Sequence, residues 1–579
     1  MDGVCFEKNN VINILWNDKT QATYEIKQFF DEKLEKLLSM GDNTLFFMGL
    51  KLWGFPIVYK LRKWGYGDLT MNSLFKNSNP KPKAGQFIYT VGARSNTWFS
   101  IKITSKEDKG TLTILSYENF VPIDEEMIES DFCENCSFIE GMLLSVNMMR
   151  ELGCTGNTVS SSATSIWKSG FNKYDVNSLF PSPEDKEYDF IRNSYHGGWC
   201  YVNKQGKVGK GIVLDVNSLY PYVMANCELP IGKGRYFKGA PKKLWVDDDN
   251  FGFYVRIRCR FVIKEDHIPF IRISNDDKYN PEEILLTSDV WNAGENCFER
   301  YEVDEWGELH EIKAELTLWK EEFNLFLEHY NVEDLEYIDG YEYGLWSGVF
   351  RKYVNKFKDM KENAKNKSER RIAKILMNSL SGNLAKNIKR ESVYFLEADV
   401  DKIMNRCKDD ASDKIVRAIQ ECGNIVSTKS RSHSYIAIGA AITSIAMCIT
   451  VKAAQANYEH FLYSDTDSLH LDCDVDEVVG LNIDDKELGA WKVEHRFKRA
   501  SYIQQKVYFI DDEEEGAILK WAGMKDESRR KVEEFINNPK MLKSNEFGIQ
   551  YSRDIVTDFV NFTKRKVYGL YTIDISEFI

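Results

Sequence analysis

The sequence lacks the features of disordered, fibrous and disulfide-stapled proteins. It has no long low-complexity stretch and no internal repeat, while 43% of its 579 residues are hydrophobic and 13% are aromatic. This composition allows a sizeable core and excludes a mainly disordered, collagenous or coiled-coil chain. Its 12 cysteines are ordinary usage for this length, and the pair Cys133 and Cys136 has no second pair to complete a structural zinc site. We interpret them as cysteines of a reducing compartment.

The sequence also lacks a net positive charge and a secretory signal. The formal net charge of −13 argues only weakly against a nucleic-acid partner, because a basic groove can lie inside an acidic chain. No basic-then-apolar pattern follows the start of the sequence, so no signal peptide is expected. The uncharged stretch 434–451 is long enough to be a candidate membrane span, but it contains neither Leu nor Phe. We interpret it as a buried helix packed closely against a sheet, and we expect no membrane partner.

Length predicts about four domains or subdomains, and the pattern along the chain favours α+β modules. An amphipathic helix is predicted at 29–38, and the cluster of Gly, Ser, Thr and Asn at 153–162 indicates a boundary. A second helix is predicted at 368–386. Strand-like runs occur at 98–103, 111–116, 211–214, 251–263, 460–471, 506–510 and 517–521.

The first chemical signal is the segment 463–468, which reads Tyr-Ser-Asp-Thr-Asp-Ser. Asp465 and Asp467 lie between apolar strands, and such a carboxylate pair is costly unless it is solvated or neutralised by a cation. In an extended strand both side chains would face the same side, whereas a tight turn can aim them differently. The alternative interpretation is an ordinary acidic hairpin turn.

The second signal is the segment 215–221, in which Asp215 ends an apolar strand and a small polar turn leads to Tyr220 and Pro221. A carboxylate in this position can face a neighbouring strand. The alternative is that Asp215 caps the amino-terminus of a helix.

The third signal is a row of polar and cationic residues on the helix predicted at 368–386. Arg370, Lys374 and Asn378 recur every four residues, so they share one face. Cations in a row suit a polyanion such as a triphosphate. The alternative is a solvated helix face, because Lys and Arg crowd the whole stretch 351–374. The apolar residues between the cations favour a partly buried helix.

Together the three signals predict a two-metal site. Asp215 and Asp467 come from distant segments and would hold divalent cations, with the cationic helix opposite them. Magnesium prefers carboxylate and phosphate oxygens, so a nucleoside triphosphate is the expected shared ligand. Two metal ions would then activate the attacking hydroxyl and stabilise the leaving pyrophosphate.

In their order along the chain and in their residues, these segments resemble motifs A, B and C of family B DNA polymerases. They resemble most closely those of the protein-primed polymerases of phi-29-type phages. The supporting strings are Tyr195-His196-Gly197-Gly198, Lys506-Val507-Tyr508 and Lys520-Trp521-Ala522-Gly523-Met524. The resemblance implies an α+β right-hand polymerase with palm, fingers, thumb and two insertions. It also implies an amino-terminal exonuclease-like domain of the RNase H-like type.

The resemblance and the positions of the motifs divide the chain into seven segments. These are the exonuclease-like domain 1–155, the start of the palm with motif A 156–226, a first insertion of the terminal-protein type 227–349, the fingers with motif B 350–385, a second insertion for strand displacement 386–435, the palm with motif C 436–521 and the thumb 522–579.

The resemblance also implies roles for individual residues. Asp215 and Asp467 would bind two Mg²⁺ ions, for which Mn²⁺ is expected to substitute, with the Val216 carbonyl assisting. Asp465 matches the companion aspartate of motif C. Tyr220 matches the tyrosine that stacks under the sugar and excludes a ribose 2′-hydroxyl.

Further residues are implied to hold the nucleotide and the DNA. Lys374 and Arg370 would bind the triphosphate, with Asn378 nearby. Lys506 and Tyr508 match a pair near the primer terminus, and Lys520 is expected near primer or template. The link that couples synthesis to the amino-terminal domain is matched by Tyr195, Gly197 and Gly198.

We therefore expect a template-directed DNA polymerase that uses primer–template DNA and deoxynucleoside triphosphates. The resemblance implies priming by a terminal protein, strand displacement, and replication of a phage or linear mobile-element genome in the cytoplasm, that of the host if the protein is viral. Two alternatives stay open. A non-catalytic DNA-binding replication scaffold is disfavoured by the intact Asp215, Asp467 and Lys374, and a reverse transcriptase or RNA polymerase by Tyr220 and the motif order.

The sequence departs from the family pattern in two places around the polymerase motifs. Motif B usually has a Tyr before its Gly, and here the residue is Ser381, so a ring beside the nascent base pair is lost. The segment 443–447 resembles a template-contacting motif that normally ends in Arg, and here it ends in Met447. One phosphate contact is therefore expected to be missing.

The departures in the exonuclease-like domain are larger. Its second motif should carry an Asn and an Asp where this chain has Gly49 and Trp53, and its third motif should carry a Tyr and an Asp where it has Asp131 and Asn135. No Asp-x-Glu string opens the chain. Two-metal hydrolysis would lack its ligands, so we expect proofreading to be lost and the domain to be inactive, serving instead as a single-strand-binding module.

Overall fold

The described residues of the computed structural model are 1–8, 11–25, 28–29, 42–50, 53–54, 57, 61, 67–68, 87–94, 97–105, 111–133, 136–242, 251–273, 276–280, 283–292, 294–387, 389–394, 424–429, 435–521, 550–551 and 571–572. The chain forms two units. The first comprises Met1–Lys173 and Lys352–Ser434, and the second comprises Tyr174–Arg351 and Tyr435–Ile579.

The helices and strands are numbered in chain order. The helices are α1 (Tyr117–Phe120), α2 (Glu125–Phe132), α3 (Phe138–Glu151), α4 (Val159–Lys168), α5 (Lys173–Leu179), α6 (Asp185–Arg192), α7 (Leu219–Asn226), α8 (Lys320–His329), α9 (Arg351–Glu362), α10 (Lys367–Leu384) and α11 (Ile436–Ala456). The strands are β1 (Asp2–Lys8), β2 (Val11–Trp16), β3 (Gln21–Glu25), β4 (Asn43–Phe47), β5 (Gly67–Asp68), β6 (Phe87–Arg94), β7 (Thr97–Ser105), β8 (Thr111–Ser116), β9 (Cys200–Val202), β10 (Gly206–Val208), β11 (Gly211–Val216), β12 (Glu228–Lys238), β13 (Phe251–Ile263), β14 (Val290–Asn292), β15 (Cys297–Glu299), β16 (Tyr301–Val303), β17 (Leu309–Glu311), β18 (Ala314–Trp319), β19 (Tyr330–Ser347), β20 (Lys389–Tyr394), β21 (Asn424–Lys429), β22 (Phe461–Asp465), β23 (Ser468–Leu471), β24 (Trp491–Gln504), β25 (Val507–Asp512), β26 (Gly516–Trp521), β27 (Gln550–Tyr551) and β28 (Tyr571–Thr572).

The first unit contains a sheet whose strands run in the order β3-β2-β1-β4-β8-β7-β6-β5. β4 lies between β1 and β8 and is parallel to both, whereas β7 is antiparallel to β6 and β8. The run Leu45, Phe46 and Phe47 in β4 is fully buried, as expected for a parallel strand that is covered on both faces. α3 packs against β1 and β2, where the ring of Phe138 meets the ring of Phe6 edge-on.

α10 packs against α2 and α4 within the first unit. The Asn366 side chain caps its amino-terminus by accepting a hydrogen bond from the Glu369 N–H at 2.8 Å. A second bond runs from the Ser368 N–H to the Asp131 carboxylate of α2 at 2.7 Å. The buried residues of α10 recur with helical spacing, for example Ile372, Leu376 and Leu380. The helix predicted at 368–386 is therefore confirmed.

The second unit contains a sheet in the order β26-β25-β24-β11-β23-β22-β9, with β10 pairing to β24. The described neighbours in it are antiparallel. The strands of this sheet share a buried core cluster that includes Val213, Leu462, Tyr463, Phe497 and Tyr502. β11 lies at its centre, next to the β22–β23 hairpin, so the segments predicted to carry chemistry are adjacent strands.

α11 covers the uncharged stretch that was a candidate membrane span. By length and composition alone it could cross a membrane, yet 83% of its apolar window is buried in the described part of the structure. It packs against β22, β23, α7 and α8. The interpretation as a buried helix packed against a sheet is confirmed, and small residues such as Ala440 and Ala441, both fully buried, allow the close approach.

A further sheet of the second unit has the order β12-β19-β13-β18, with α8 packed against β13. Between β13 and β18 lie two small hairpins, β14–β15 and β16–β17. The segment 251–263, for which one or two strands were predicted, is the single strand β13.

Several other local predictions are also tested. The strands at 98–103 and 111–116 are confirmed as β7 and β8, and those at 506–510 and 517–521 as β25 and β26. The alternative in which Asp215 caps a helix is wrong, because Asp215 lies in β11 and the next helix, α7, is capped by Ser218.

Other predictions are not tested. The helix predicted at 29–38 lies, beyond Phe29, outside the described residues, and so do most of 386–435 and most of 522–579. The seven segment bounds stay predictions.

Candidate active site

The turn between β22 and β23 carries Asp465 and Asp467. β22 ends at Asp465, which pairs with Ser468 at the start of β23. Thr466 between them has a φ of +63°, a left-handed conformation that β-branched residues rarely adopt. Such strain persists where the surroundings over-determine it. The Thr466 N–H donates to the Trp199 carbonyl at 2.7 Å, and the Thr450 hydroxyl donates to the Thr466 carbonyl at 3.0 Å.

Asp215 lies next to this turn. In the antiparallel pairing of β11 with β23, Asp215 stands opposite Ser468, and the Val216 N–H donates to the Asp467 carbonyl at 2.8 Å. Burial, followed by the negative charge of Asp215, raises the pKa of Asp467 to about 6. Two carboxylates from distant segments therefore meet at a place where their ionised forms oppose each other.

Two lysines lie close to the carboxylates of Asp215 and Asp465. The Lys492 ammonium lies 3.2 Å from Asp215 Oδ1, and the Lys506 ammonium lies 3.3 Å from Asp465 Oδ1. The resemblance places Lys506 near the primer terminus, whereas no sequence motif indicates Lys492. It is brought there by the β24–β11 pairing, in which Lys492 stands opposite Asp215, and only that register reveals it.

A cleft of about 450 Å³ opens over the acidic turn. It brings together Asp215, Asp465 and Asp467 with three residues predicted to contact DNA, and with others that the sequence did not indicate. The lining residues are Val213, Asp215, Asp465, Thr466, Asp467, Ser468, His470, Glu494, His495, Lys506, Tyr508, Ile510 and Lys520.

Lys506 and Tyr508 are held against the back of the acidic hairpin. The Lys506 N–H donates to the Tyr463 hydroxyl at 3.1 Å, and Lys506 itself has a φ of +59°. The Tyr508 ring lies 5.0 Å from the Tyr463 ring and 5.1 Å from the His470 ring. Across the β25–β26 pairing, Tyr508 stands opposite Lys520, so these residues share one wall of the cleft.

The segment that includes Gly197 and Gly198 packs on the same turn. A Cβ atom at Gly198 would lie 2.1 Å from Thr466 Oγ1, so a larger residue would displace the turn. The adjoining strand β9 pairs with β22, where Cys200 stands opposite Asp465. Tyr195 is contacted by the Arg192 guanidinium, which lies 4.4 Å from the ring centre.

Tyr220 lies in the first turn of α7, within electrostatic reach of Asp467. Burial raises the pKa of Tyr220 to about 12, and the charges of Tyr195 and Asp467 act in the same direction. The structure thus brings the residue predicted to exclude a ribose hydroxyl close to one of the predicted metal ligands.

The predicted triphosphate-binding residues lie in the first unit. Arg370, Lys374 and Asn378 are exposed on one face of α10, and the Ser381 hydroxyl on that helix donates to the Asn378 carbonyl at 3.1 Å. The aspartates lie in the second unit, so the meeting of the two sets at one triphosphate stays a prediction. Met447 is 5% exposed within α11.

The residues at the exonuclease-like positions have other partners. The Gly49 N–H donates to the Glu118 carboxylate at 2.5 Å, and Trp53 is 8% exposed. The Asp131 carboxylate accepts the bond from the α10 amino-terminus described above, and Asp2 forms an ion pair with Arg150 at 2.9 Å. Asn135 lies outside the described residues.

Most of the chain is similar to proteins named DNA polymerase. A sequence profile of the family "DNA polymerase type B, organellar and viral" matches residues 154–460. The DNA polymerase of Bacillus phage Nf is 30% identical over 443 residues, which cover 72% of this chain and 69% of that protein. The DNA polymerase of Bacillus phage phi29 is 28% identical over 523 residues, which cover 86% of this chain and 82% of that protein.

A solved structure agrees with the predicted fold. The structure of phi29 DNA polymerase complexed with primer-template DNA and incoming nucleotide substrates matches with a TM-score of 0.73 and 22% identity, over 95% of each chain. The prediction of an α+β polymerase fold is confirmed. Because the family profile covers more than half of the sequence, the chain belongs to the organellar and viral type B DNA polymerases and is a DNA-directed DNA polymerase.

Proposed function

We propose that the enzyme extends a primer by two-metal nucleotidyl transfer in the cleft over Asp215 and Asp467. The observation that carries this proposal is the meeting of the two carboxylates, with the pKa of Asp467 raised to about 6 by burial and by the charge of Asp215. A pair in this situation is stabilised by bound cations.

The donor set fits magnesium. It consists of the carboxylates of Asp215 and Asp467 and the Val216 carbonyl, which are the hard oxygen donors that Mg²⁺ prefers, with Mn²⁺ as the expected substitute. Among the described residues, no three His, Cys, Asp or Glu side chains converge into a complete metal cage. This is compatible with Mg²⁺, which is usually held by one or two carboxylates together with substrate phosphates. When bound, the two ions would activate the primer 3′-hydroxyl and stabilise the leaving pyrophosphate.

The surrounding residues prepare the site for these ligands. Lys492 and Lys506 balance the charges of Asp215 and Asp465 at 3.2 and 3.3 Å. Tyr220 limits the space beside Asp467 and would exclude a sugar that carries a 2′-hydroxyl. Lys520 and Tyr508 would contact the primer or template, while Lys374, Arg370 and Asn378 would bind the triphosphate.

A gel assay tests the proposed reaction. A 5′-labelled DNA primer is annealed to a longer DNA or RNA template and incubated with and without deoxynucleotides, with Mg²⁺, Mn²⁺ or EDTA. We expect extension on DNA that requires a divalent cation. Extension only on RNA would favour a reverse transcriptase, and the absence of any extension would favour a replication scaffold.

We also propose that synthesis is primed by a terminal protein, which contacts the segment 227–349. Within the described part of that segment, large apolar side chains are exposed around the two small hairpins β14–β15 and β16–β17. They are Leu286, Trp291, Phe298, Tyr301, Val303, Trp306 and Leu309, with exposed fractions from 47% to 79%. Clusters of this kind mark protein-binding surfaces.

The priming proposal is tested with a double variant, Phe298→Ala with Trp306→Ala. Incubation with the terminal protein of the same genome and a labelled nucleotide measures nucleotide transfer to protein. We expect the variant to lose this transfer and to retain extension of a DNA primer. Equal loss of both reactions would instead indicate a folding defect, and retention of both would exclude this surface.

Strand displacement is proposed to depend on the second insertion, 386–435. The strands described in it are β20 and β21, which pair antiparallel, with Tyr394 opposite Asn424. Replacing 395–423 with a short Gly-Ser turn preserves that pairing. We expect extension on an open template to continue and displacement across a gap to fail. We also propose that the enzyme replicates a phage or linear mobile-element genome, as its phage relatives suggest, and that it does so in the cytoplasm of a host.

A further inference from the structure

A buried arginine lies behind the acidic turn. Arg272 is 7% exposed and follows β13 in a segment without helix or strand. Its Nη2 donates to the Gly197 carbonyl at 2.9 Å, and its Nη1 donates to the Gly198 carbonyl at 3.3 Å. Because a guanidinium is planar and presents its donors in a rigid fork, these two bonds fix two successive carbonyl groups in orientation.

The segment that Arg272 holds is the support of the catalytic turn. Trp199 accepts the hydrogen bond from the Thr466 N–H at 2.7 Å, and Gly198 leaves only enough room for the Thr466 side chain. The Trp199 indole N–H donates in turn to the Pro269 carbonyl at 3.2 Å. Three hydrogen bonds therefore connect the segment 269–272 to the segment 197–199. The segment 197–199 in turn contacts Thr466, which lies between the two aspartates of motif C.

A buried carboxyl group lies within electrostatic reach of Arg272. Glu322 of α8 is 4% exposed and accepts a hydrogen bond from the Ser444 hydroxyl of α11 at 2.9 Å. Burial raises the pKa of Glu322 to about 7, and the positive charge of Arg272 opposes that rise. The positive charge of Arg272 therefore favours the ionised form of a buried carboxyl group on α8.

We propose that Arg272 is a positioning residue for nucleotidyl transfer. By fixing the Gly197 and Gly198 carbonyls, it holds the turn that carries Asp465 and Asp467 in the geometry that binds divalent cations. This inference rests on the proposed two-metal function. No motif indicates Arg272, which lies in the segment assigned by sequence to the first insertion.

The matched control is Arg260. It is equally buried, at 7% exposure, but its partners are carboxylates away from the cleft, among them Glu333 at 3.0 Å. Arg272→Met removes the fork and the charge, Arg272→Lys keeps the charge without the fork, and Arg260→Met removes a buried arginine elsewhere. Gly198→Ala displaces the same turn from the opposite side, because its Cβ would overlap Thr466.

Two readouts separate positioning from general stability. Isothermal titration with Mn²⁺, corrected with an Asp467→Asn blank, measures cation affinity, and thermal unfolding measures stability. Removing a group that orients metal ligands typically lowers affinity or activity about 10- to 100-fold. We expect a loss of this size for Arg272→Met and Gly198→Ala, with Arg272→Lys intermediate. Arg260→Met should lower the unfolding temperature and leave Mn²⁺ affinity unchanged.

The outcomes that would overturn the inference differ from those that would overturn the proposed function. Wild-type Mn²⁺ affinity in folded Arg272→Met, or an equal loss in Arg260→Met, would exclude the positioning role. If Arg272→Met does not fold, Gly198→Ala decides, and wild-type affinity in that variant would exclude the role. Absence of Mn²⁺ binding at Asp467 in the wild-type protein would instead overturn the two-metal function and this inference with it.

Discussion

At the residue scale, Asp467 is held where its ionised form is disfavoured. Burial and the neighbouring Asp215 raise its pKa to about 6, while its backbone carbonyl is tied to the Val216 N–H at 2.8 Å. The backbone is thus fixed by the sheet, and the carboxylate is placed for a ligand rather than for the stability of the metal-free protein. The resulting loss of stability in the metal-free protein should be measurable in unfolding experiments.

Replacing Asp467 by Asn should stabilise the metal-free protein at pH 7.5. A carboxyl group whose pKa is higher in the folded than in the unfolded chain favours folding below the unfolded value of about 4, and this contribution is lost as the pH rises through about 6. We expect the variant to unfold on the order of a few degrees higher at pH 7.5, with a smaller difference at pH 5. Thermal scans in EDTA measure this. A variant less stable than wild type at pH 7.5 would contradict the description of Asp467.

Tyr220→Val should admit ribonucleotides while deoxynucleotide incorporation continues. The Tyr220 ring is proposed to fill the space that a ribose 2′-hydroxyl would need, and loss of a steric contact of this size changes discrimination by about 10- to 200-fold. Incorporation of single ribo- and deoxynucleotides gives the ratio directly. Tyr222→Val on the same helix is the control, since Tyr222 packs against Gly489. Unchanged discrimination in Tyr220→Val would show that another residue selects the sugar.

At the element scale, the sequence predicts the elements of the candidate site well, because each of them has a short local sequence pattern. β11, the β22–β23 hairpin and α10 follow from apolar runs, turn residues and helical spacing. Lys492 and Arg272 could not be predicted. Lys492 reaches Asp215 only through the register of β24 on β11, and Arg272 reaches Gly197 across 75 residues of chain. Contacts set by tertiary packing leave no local pattern.

Lys374 lies on the exposed face of α10, and we predict that Lys374→Met weakens nucleotide binding. A charge-assisted hydrogen bond contributes about 1.5–3 kcal/mol, so we expect KM for the deoxynucleotide to rise about 10- to 100-fold. Arg371→Met is the matched control, because Arg371 is engaged with Asp124 of the same unit at 2.9 Å. Steady-state single-nucleotide incorporation measures both variants. An equal rise in KM for the control would indicate displacement of the helix rather than loss of a phosphate contact.

The residues at the exonuclease-like positions of the first unit predict that the enzyme lacks 3′→5′ exonuclease activity. Hydrolysis requires carboxylates that hold two metal ions, and the matched positions offer Gly49 and the buried indole of Trp53. Asp131 is engaged with the Ser368 N–H. Single-stranded DNA incubated with Mg²⁺ or Mn²⁺ and without nucleotides should keep its length. Shortening from the 3′ end that persists in Asp467→Ala would show an active site that the motifs do not reveal.

At the scale of the whole molecule, the fold class and the activity follow from the order of the motifs, and the assembly of the first unit does not. That unit joins Met1–Lys173 with Lys352–Ser434 through contacts such as Asn383 to Thr164 at 2.5 Å. Residues more than 200 positions apart share no periodicity, and no composition shift or linker in the sequence predicts that these two stretches pack together. The net charge of −13 likewise says nothing about the cleft, where Lys506 and Lys520 line the same walls as the aspartates.

The central claim is that Asp215 and Asp467 together carry metal-dependent DNA synthesis. The most direct measurement is the rate of single-nucleotide incorporation by rapid quench on a primer–template, for wild type, Asp215→Ala, Asp467→Ala and Asp472→Ala. Asp472 directly follows the same hairpin, pairs with Lys204 at 2.8 Å and has a side chain that is 29% exposed, compared with 23% for Asp215. We predict a loss of about 10³-fold or more for the first two variants, because metal positioning stabilises the transition state by several kcal/mol, and a rate close to wild type for Asp472→Ala. Near wild-type incorporation by folded Asp467→Ala would contradict the account.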